Sequence, residues 1–160
     1  ALGDYALWGN EAFIWYRNTS GEPTKYDTRS ITPRNKVATV SQNGIIITRY
    51  TYDAKGNVTE IQDALGNTTR YTYDSTGRLR KTSHPEGNEE HVDYDQEGNT
   101  IRTTDGNGNT THYLYNTHNL LTSRTDALGN RISYTYDTRG NQVTMVTANN
   151  HTYTSAYDEA

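Results

Sequence analysis

A 21-residue period runs from residue 50 to the end of the chain. Sliding the sequence by that interval aligns Tyr52, Tyr73, Tyr94, Tyr115, Tyr136 and Tyr157 in one column. The next column reads Asp53, Asp74, Asp95, Asn116, Asp137 and Asp158, and three places on stand Gly56, Gly77, Gly98, Asn119 and Gly140. A second glycine column, Gly66, Gly87, Gly108 and Gly129, is followed at once by Asn67, Asn88, Asn109 and Asn130, and Asp63, Asp105 and Asp126 open three of those turns. Self-similarity at a short fixed period marks a repeat architecture and removes the ordinary globular enzyme from consideration at the outset.

Each unit holds two strands and two turns. Asn67 to Tyr73 reads as the longer strand, Asp74 to Gly77 as a turn, Arg78 to Ser83 as the shorter strand and His84 to Gly87 as the second turn. An Asp that opens a turn accepts hydrogen bonds from amides two or three residues on. A Gly three places later tolerates the left-handed conformation of a type I turn with a bulge. Both turns therefore close hairpins, and the array is expected to be an antiparallel meander. Along the longer strand Thr69, Tyr71 and Tyr73 share one face while Thr68, Arg70 and Thr72 share the other. The same alternation pairs Tyr50 with Tyr52, Tyr113 with Tyr115 and Tyr134 with Tyr136; with Tyr94 and Tyr157 these tyrosines form two structural columns on one side of the sheet. Eleven or twelve strands at roughly 4.8 Å spacing span about 50 Å, a width that twist is expected to curl or close.

The chain's 160 residues need no second globular domain, and 31% hydrophobic content with 14 Tyr against one Phe and two Trp is too aromatic for disorder yet poor in aliphatic core formers. A net charge of -4 with interspersed signs provides no basic face for nucleic acid and no polybasic membrane patch. With no Cys, disulfides, thiolate metal sites and thiol nucleophiles are excluded together. No apolar run is long enough for a spanning helix, and the opening Ala1-Leu-Gly-Asp resembles neither an initiator Met nor a signal peptide, so we expect a piece of a longer protein.

Residues 1–44 lie outside the strict period. Ala6 to Asn10 and Ala12 to Tyr16 read as strands broken at Gly9-Asn10, with Asn18 to Pro23 a loop and Tyr26-Asp27 a worn copy of the repeat. Val37 to Ser41 and Ile45 to Tyr52 flank Gln42-Asn43-Gly44, a hairpin signal. Because this segment holds both Trp and the Phe, we expect an irregular β cap or degenerate repeats over 1–44, followed by the repeat array over 45–160.

Tyr52-Asp53-x-x-Gly56-Asn57 and Asp63-Ala-Leu-Gly66-Asn67-Thr-Thr-Arg-Tyr71-Thr-Tyr73-Asp74-x-x-Gly77-Arg78-Leu79 resemble the YD repeat of Rhs proteins. The resemblance implies an all-β strip of hairpins which, in bacterial Rhs proteins and the related C components of insecticidal toxin complexes, winds as a spiral into a hollow shell around a toxic C-terminal domain. The animal teneurins use a similar barrel for adhesion. Absence of Cys and the Leu-Gly-Asn copies fit the bacterial branch. The closing motif of the family, with its autocleavage region, has no counterpart here. Asn116 and Asn119 replace Asp and Gly in one turn, Val92 replaces Tyr and Asn150 replaces Gly, from which we expect local irregularity within the same fold.

Few residues invite chemistry. Asp105-Gly-Asn107-Gly-Asn109 has the look of a calcium loop, but Thr110 stands where an EF-hand needs Gly and Asn116 where it needs a bidentate Glu, so an Asx-capped turn is the better reading. His84 and His91 bracket Glu86, Glu89 and Glu90 without metal-ligand spacing. No nucleophile elbow and no phosphate-cradling glycine loop occurs, and we expect no catalysis, metal or cofactor. Sequons at Asn18, Asn57, Asn67, Asn109 and Asn150 arise from Asn leaving a turn and Thr opening a strand, which favours coincidence over glycosylation. The Tyr and Asn rows also suit a sugar-binding face, although a packed inner wall explains them first. The expected function is a non-enzymatic wall segment of a secreted or exported bacterial effector that encloses and delivers a toxic domain. Its partners would be the rest of the shell, the cargo and components of a secretion system. The alternative is a cell-surface module that binds carbohydrate.

Overall fold

The computed structural model describes residues 36–158 and, before them, the backbone of three strands. The chain divides into two compact units, Ala1–Gly87 and Asn88–Ala160. The first contains β1 (Asp4–Trp8), β2 (Glu11–Arg17), β3 (Pro23–Ile31), β4 (Val37–Gln42), β5 (Ile45–Tyr52), β6 (Val58–Asp63), β7 (Thr68–Tyr73) and β8 (Leu79–Ser83). The second contains β9 (Glu89–Tyr94), β10 (Thr100–Thr104), β11 (Thr110–Tyr115), β12 (Leu121–Thr125), β13 (Arg131–Tyr136), β14 (Gln142–Val146) and β15 (Thr152–Thr154). In each unit every strand pairs antiparallel with its sequence neighbour.

The fold is thus all-β, a run of hairpins, as the period requires. No pairing joins the first and last strands of either unit, so neither sheet closes on itself, and the curling expected from the strand number is not seen. Before the array, Asn43 and Gly44 take φ of 50 and 78° between the paired residues Gln42 and Ile45, the two-residue turn that an Asn-Gly pair favours. Tyr26 and Asp27 lie inside β3, opposite Trp15 and Ile14 of β2, rather than at a strand-to-turn junction. The proposed loop over Asn18 to Pro23 falls largely outside the described residues, as do the Trp and Phe side chains of 1–44.

One irregularity recurs. In the hairpins that enclose the Tyr-Asp turn, Tyr52 pairs with Val58 while Thr51 pairs with Glu60, and the same shift separates Leu79 from Lys81, Thr100 from Arg102, Leu121 from Ser123 and Gln142 from Thr144. Each is a β-bulge with one extra residue on the shorter strand, at Thr59, Arg80, Ile101, Thr122 and Val143. The hairpins around the other turn pair without a shift, as in Glu60↔Arg70 to Gln62↔Thr68.

The two faces differ in kind. Tyr50, Tyr52, Tyr71 and Tyr73 are half-buried in the first unit, whereas Arg49, Thr51, Arg70 and Thr72 on the opposite face are exposed. That opposite face is laced by cross-strand polar pairs. Thr51 meets Thr59 at 3.0 Å, the Arg70 guanidinium meets Glu60 at 3.1 Å, Arg102 pairs with Asp93, and Thr135 meets Thr144 at 2.6 Å. Among the described residues no hydrophobic side chain is buried, and the buried ones are Ser41, Thr82 and Ser123. A single layer of sheet accounts for this: alternation sorts the side chains by face, but nothing lies over either face within a unit.

Candidate functional site

The repeating site has two parts, a turn built on a carboxylate and a tyrosine that reaches across strands. The turn carboxylates are held by their own loops. In Asp63 one oxygen accepts the amides of Leu65 and Asn67, both at 2.9 Å, and the other accepts the Asn67 side-chain amide at 2.8 Å. Asp53, Asp95, Asp105, Asp126 and Asp137 each bond the side-chain amide of the Asn four residues on, and Asp74 takes the Arg78 guanidinium at 2.7 Å in its place. The acceptor thus serves amides two and four residues on, not two or three, because the loop has five residues and closes with its first amide on its fifth carbonyl. The glycines Gly56, Gly66, Gly77, Gly87, Gly98, Gly108, Gly129 and Gly140 sit fourth in these loops with φ between 84 and 99°. Only a residue without Cβ adopts that geometry freely.

Both turns of the repeat share this frame, a unity the sequence reading missed. The signal was present in the residue after each Gly, which is Asn in most copies and caps the carboxylate. The departures keep the frame as well. Asn116 uses its amide oxygen to accept from His118 and Leu120, Asn119 and Asn150 take φ of 59°, and Thr147 accepts from His151 at 3.2 Å. The expected local irregularity is therefore absent, since Asn is the non-glycine residue best suited to the left-handed region. Asn119 adds a contact that Gly cannot, accepting from the Asn99 amide at 2.9 Å and so tying two turns of successive repeats.

Hydrogen bonding to the ionised form is the main reason the carboxyls of Asp53, Asp63, Asp95, Asp105, Asp126 and Asp137 lie below the ordinary range, with the Asn partner as the largest contributor in each. Asp74 is lowered furthest, chiefly by the Thr76 hydroxyl. The Asp105 loop places both carboxylate oxygens on Asn107 and Asn109, and the described residues contain no cluster of three metal-ligating side chains. In the sequons at Asn57, Asn67 and Asn109, the nitrogen that glycosylation would modify donates to the turn carboxylate. Asn18 lies outside the described residues. His91 and Glu89 approach to 3.5 Å at the surface.

The tyrosines supply the second part. Tyr52 donates its hydroxyl to the Val37 carbonyl at 2.6 Å, Tyr73 to Val58 at 2.7 Å, Tyr136 to Leu121 at 2.7 Å and Tyr157 to Gln142 at 3.0 Å. The acceptor always lies 15 residues back. In the array it is the residue whose other edge pairs with the tyrosine of the preceding repeat, Val58 with Tyr52 and Leu121 with Tyr115. These acceptors lie beyond the last printed pair of the unshifted ladder, so the phenol satisfies a carbonyl the ladder leaves behind. Burial raises the hydroxyl pKa of Tyr52, Tyr73, Tyr115 and Tyr136, with the neighbouring column tyrosine adding to it. Tyr94 and Tyr113 are half-buried like their equivalents, and Tyr157 at the end of the array is 53% exposed.

Shallow grooves repeat along the Tyr-Asp turns. One of 290 Å³ lies between the loops at Asp53 and Asp74 in the first unit; in the second, grooves of 490 and 620 Å³ lie between the loops at Asp95 and Asn116 and at Asn116 and Asp137.

Comparison with solved structures places this arrangement in context. The chain is similar to the crystal structure of TcdB2–TccC3–Cdc42, with a TM-score of 0.55 and 19% identity over 86% of this chain and 8% of that one. It is similar to the Photorhabdus luminescens Tc holotoxin pore, at 0.53 and 20% over 86% and 8%. A TcdB2–TccC3 structure without its hypervariable C-terminal region gives 0.54 and 20% over the same shares. This chain therefore spans less than a tenth of the length of the chains it matches, and at this identity the likeness is one of fold. No curated protein sequence matches. The RHS repeat model matches residues 36–68, 52–89, 94–125 and 115–152, well over half of the chain, and the chain belongs to the RHS repeat family.

Proposed function

We propose that this chain is a wall segment of an Rhs-type toxin shell, a non-enzymatic stretch that helps enclose and deliver a C-terminal toxic domain from an exported bacterial effector. The observation that carries the reading is the single layer. Half-buried tyrosines line one face and polar pairs the other, and among the described residues no hydrophobic side chain reaches full burial. A ladder of this kind makes a continuous partition and gains its missing packing from neighbouring wall and contents. The likeness to TcdB2–TccC3 and to a Tc holotoxin supports this reading. In it the tyrosine columns and turn glycines hold the wall's shape, the tyrosine face is the lumenal one, and residues 1–44 cap or prolong the array.

Size-exclusion chromatography with light scattering, coupled to a urea melt of the 160-residue chain, tests the proposal. Self-association or a broad transition is expected of a wall cut from its shell, whose strand edges are open. A monodisperse monomer with one sharp transition would reject it and favour an autonomous binding module, the carbohydrate-binding adhesin among them.

A further inference from the structure

The grooves between successive Tyr-Asp turns share one frame, so differences in their lining are differences in chemistry. In the groove between Asp53 and Asp74 the cation is Lys55, and its ammonium is engaged by the Ser75 carbonyl. The groove between Asp95 and Asn116 is rimmed by Asp95 and Glu97 and floored by Ile101 and Leu114, the latter 58% exposed. The groove between Asn116 and Asp137 is the one that gathers positive charge, from His118 and Arg139. Its one carboxylate, Asp137, already accepts the amides of Arg139 and Asn141 and the Asn141 side chain at 2.9 to 3.0 Å. Arg139 forms no ion pair among the described residues, and of its groups only the backbone amide is engaged.

We propose that this groove binds an acidic polypeptide segment, with the Arg139 guanidinium gripping one carboxylate through paired N–H donors and His118 donating beside it. Charge complementarity selects the ligand: a planar guanidinium matches a carboxylate, and the hydroxyls of Thr122 and Thr135 on the lining are engaged by the Leu114 carbonyl and Thr144. A chain of net charge -4 exerts no general pull on polyanions, so attraction here is local. A ligand needing a row of cations would meet Glu97 one repeat earlier. The inference is independent of the shell reading, since it concerns the chemistry of one groove.

Fluorescence anisotropy on the 160-residue chain, with a labelled peptide of alternating Gly and Glu and its Gly-Gln counterpart, decides the matter. The expected result is saturable binding of the Glu peptide, with at least about tenfold weaker binding of the Gln peptide and of the Glu peptide to Arg139→Gln. Arg139→Lys, which keeps the charge and loses the fork, should fall between. Glu97→Gln in the adjoining groove should leave the affinity unchanged. Equal binding of the two peptides, no binding, or full affinity in Arg139→Gln would overturn the proposal. Tighter binding of an oligoglucuronate than of the Glu peptide would overturn its assignment to polypeptide.

Discussion

Replacing Tyr136 with Phe removes one oxygen and leaves the Leu121 carbonyl without its donor. An orphaned, half-buried acceptor costs about 1 to 2 kcal/mol, and urea melts of Tyr136→Phe should show a loss of that size. Tyr134→Phe, two residues earlier in the other column, has no such bond to lose and should melt within about 0.5 kcal/mol of the parent chain. Equal losses would mean that ring packing, rather than the hydroxyl, is what the column contributes. The sequence marks which tyrosines recur, because period and alternation suffice for that. It does not mark their acceptor, because a main-chain carbonyl 15 residues back carries no side-chain signature.

Each five-residue loop is specified by three positions, the oxygen-bearing residue that opens it, the left-handed fourth residue and the donor that closes it. The first two are legible as columns of Asp and Gly; the third is hidden because Asn and Arg78 do the same work through different groups. Gly140 isolates the conformational requirement. A Cβ there would meet only Leu120, at an ordinary 3.7 Å, so the cost of Gly140→Ala is backbone strain at φ +87° and should be about 1 kcal/mol or more. Gly140→Asn should cost clearly less, as Asn119 and Asn150 hold the same position at φ 59°. Thermal melts of the two variants compare them directly, and an Asn variant as damaging as Ala would contradict the account.

Over the whole molecule the turns and tyrosines set opposite ends of a stability profile. The turn aspartates are more acidic folded than unfolded, so their contribution is complete above the unfolded value of about 3.9 and is lost as pH falls from there through the folded values. The column tyrosines Tyr52, Tyr73, Tyr115 and Tyr136 are less acidic folded, so theirs is complete below about pH 10 and is lost as pH rises beyond it. Urea midpoints should therefore be level between about pH 5 and 9 and fall on both sides; a level acid limb would count against carboxylate-held turns. Strand order was legible throughout, since hairpins pair with neighbours. The lack of closure was not, because strand number alone does not say how much neighbouring chain shapes a sheet. The bulge explains how an odd repeat length keeps its tyrosines together. Side chains alternate with a period of two, so a step of 21 should send each successive Tyr to the opposite face; the one unpaired residue at Thr59 or Thr122 restores the parity. Lengthening or shortening such a chain is therefore quantised. A whole unit can be gained or lost silently, whereas a single-codon insertion in a strand would invert every ring downstream of it.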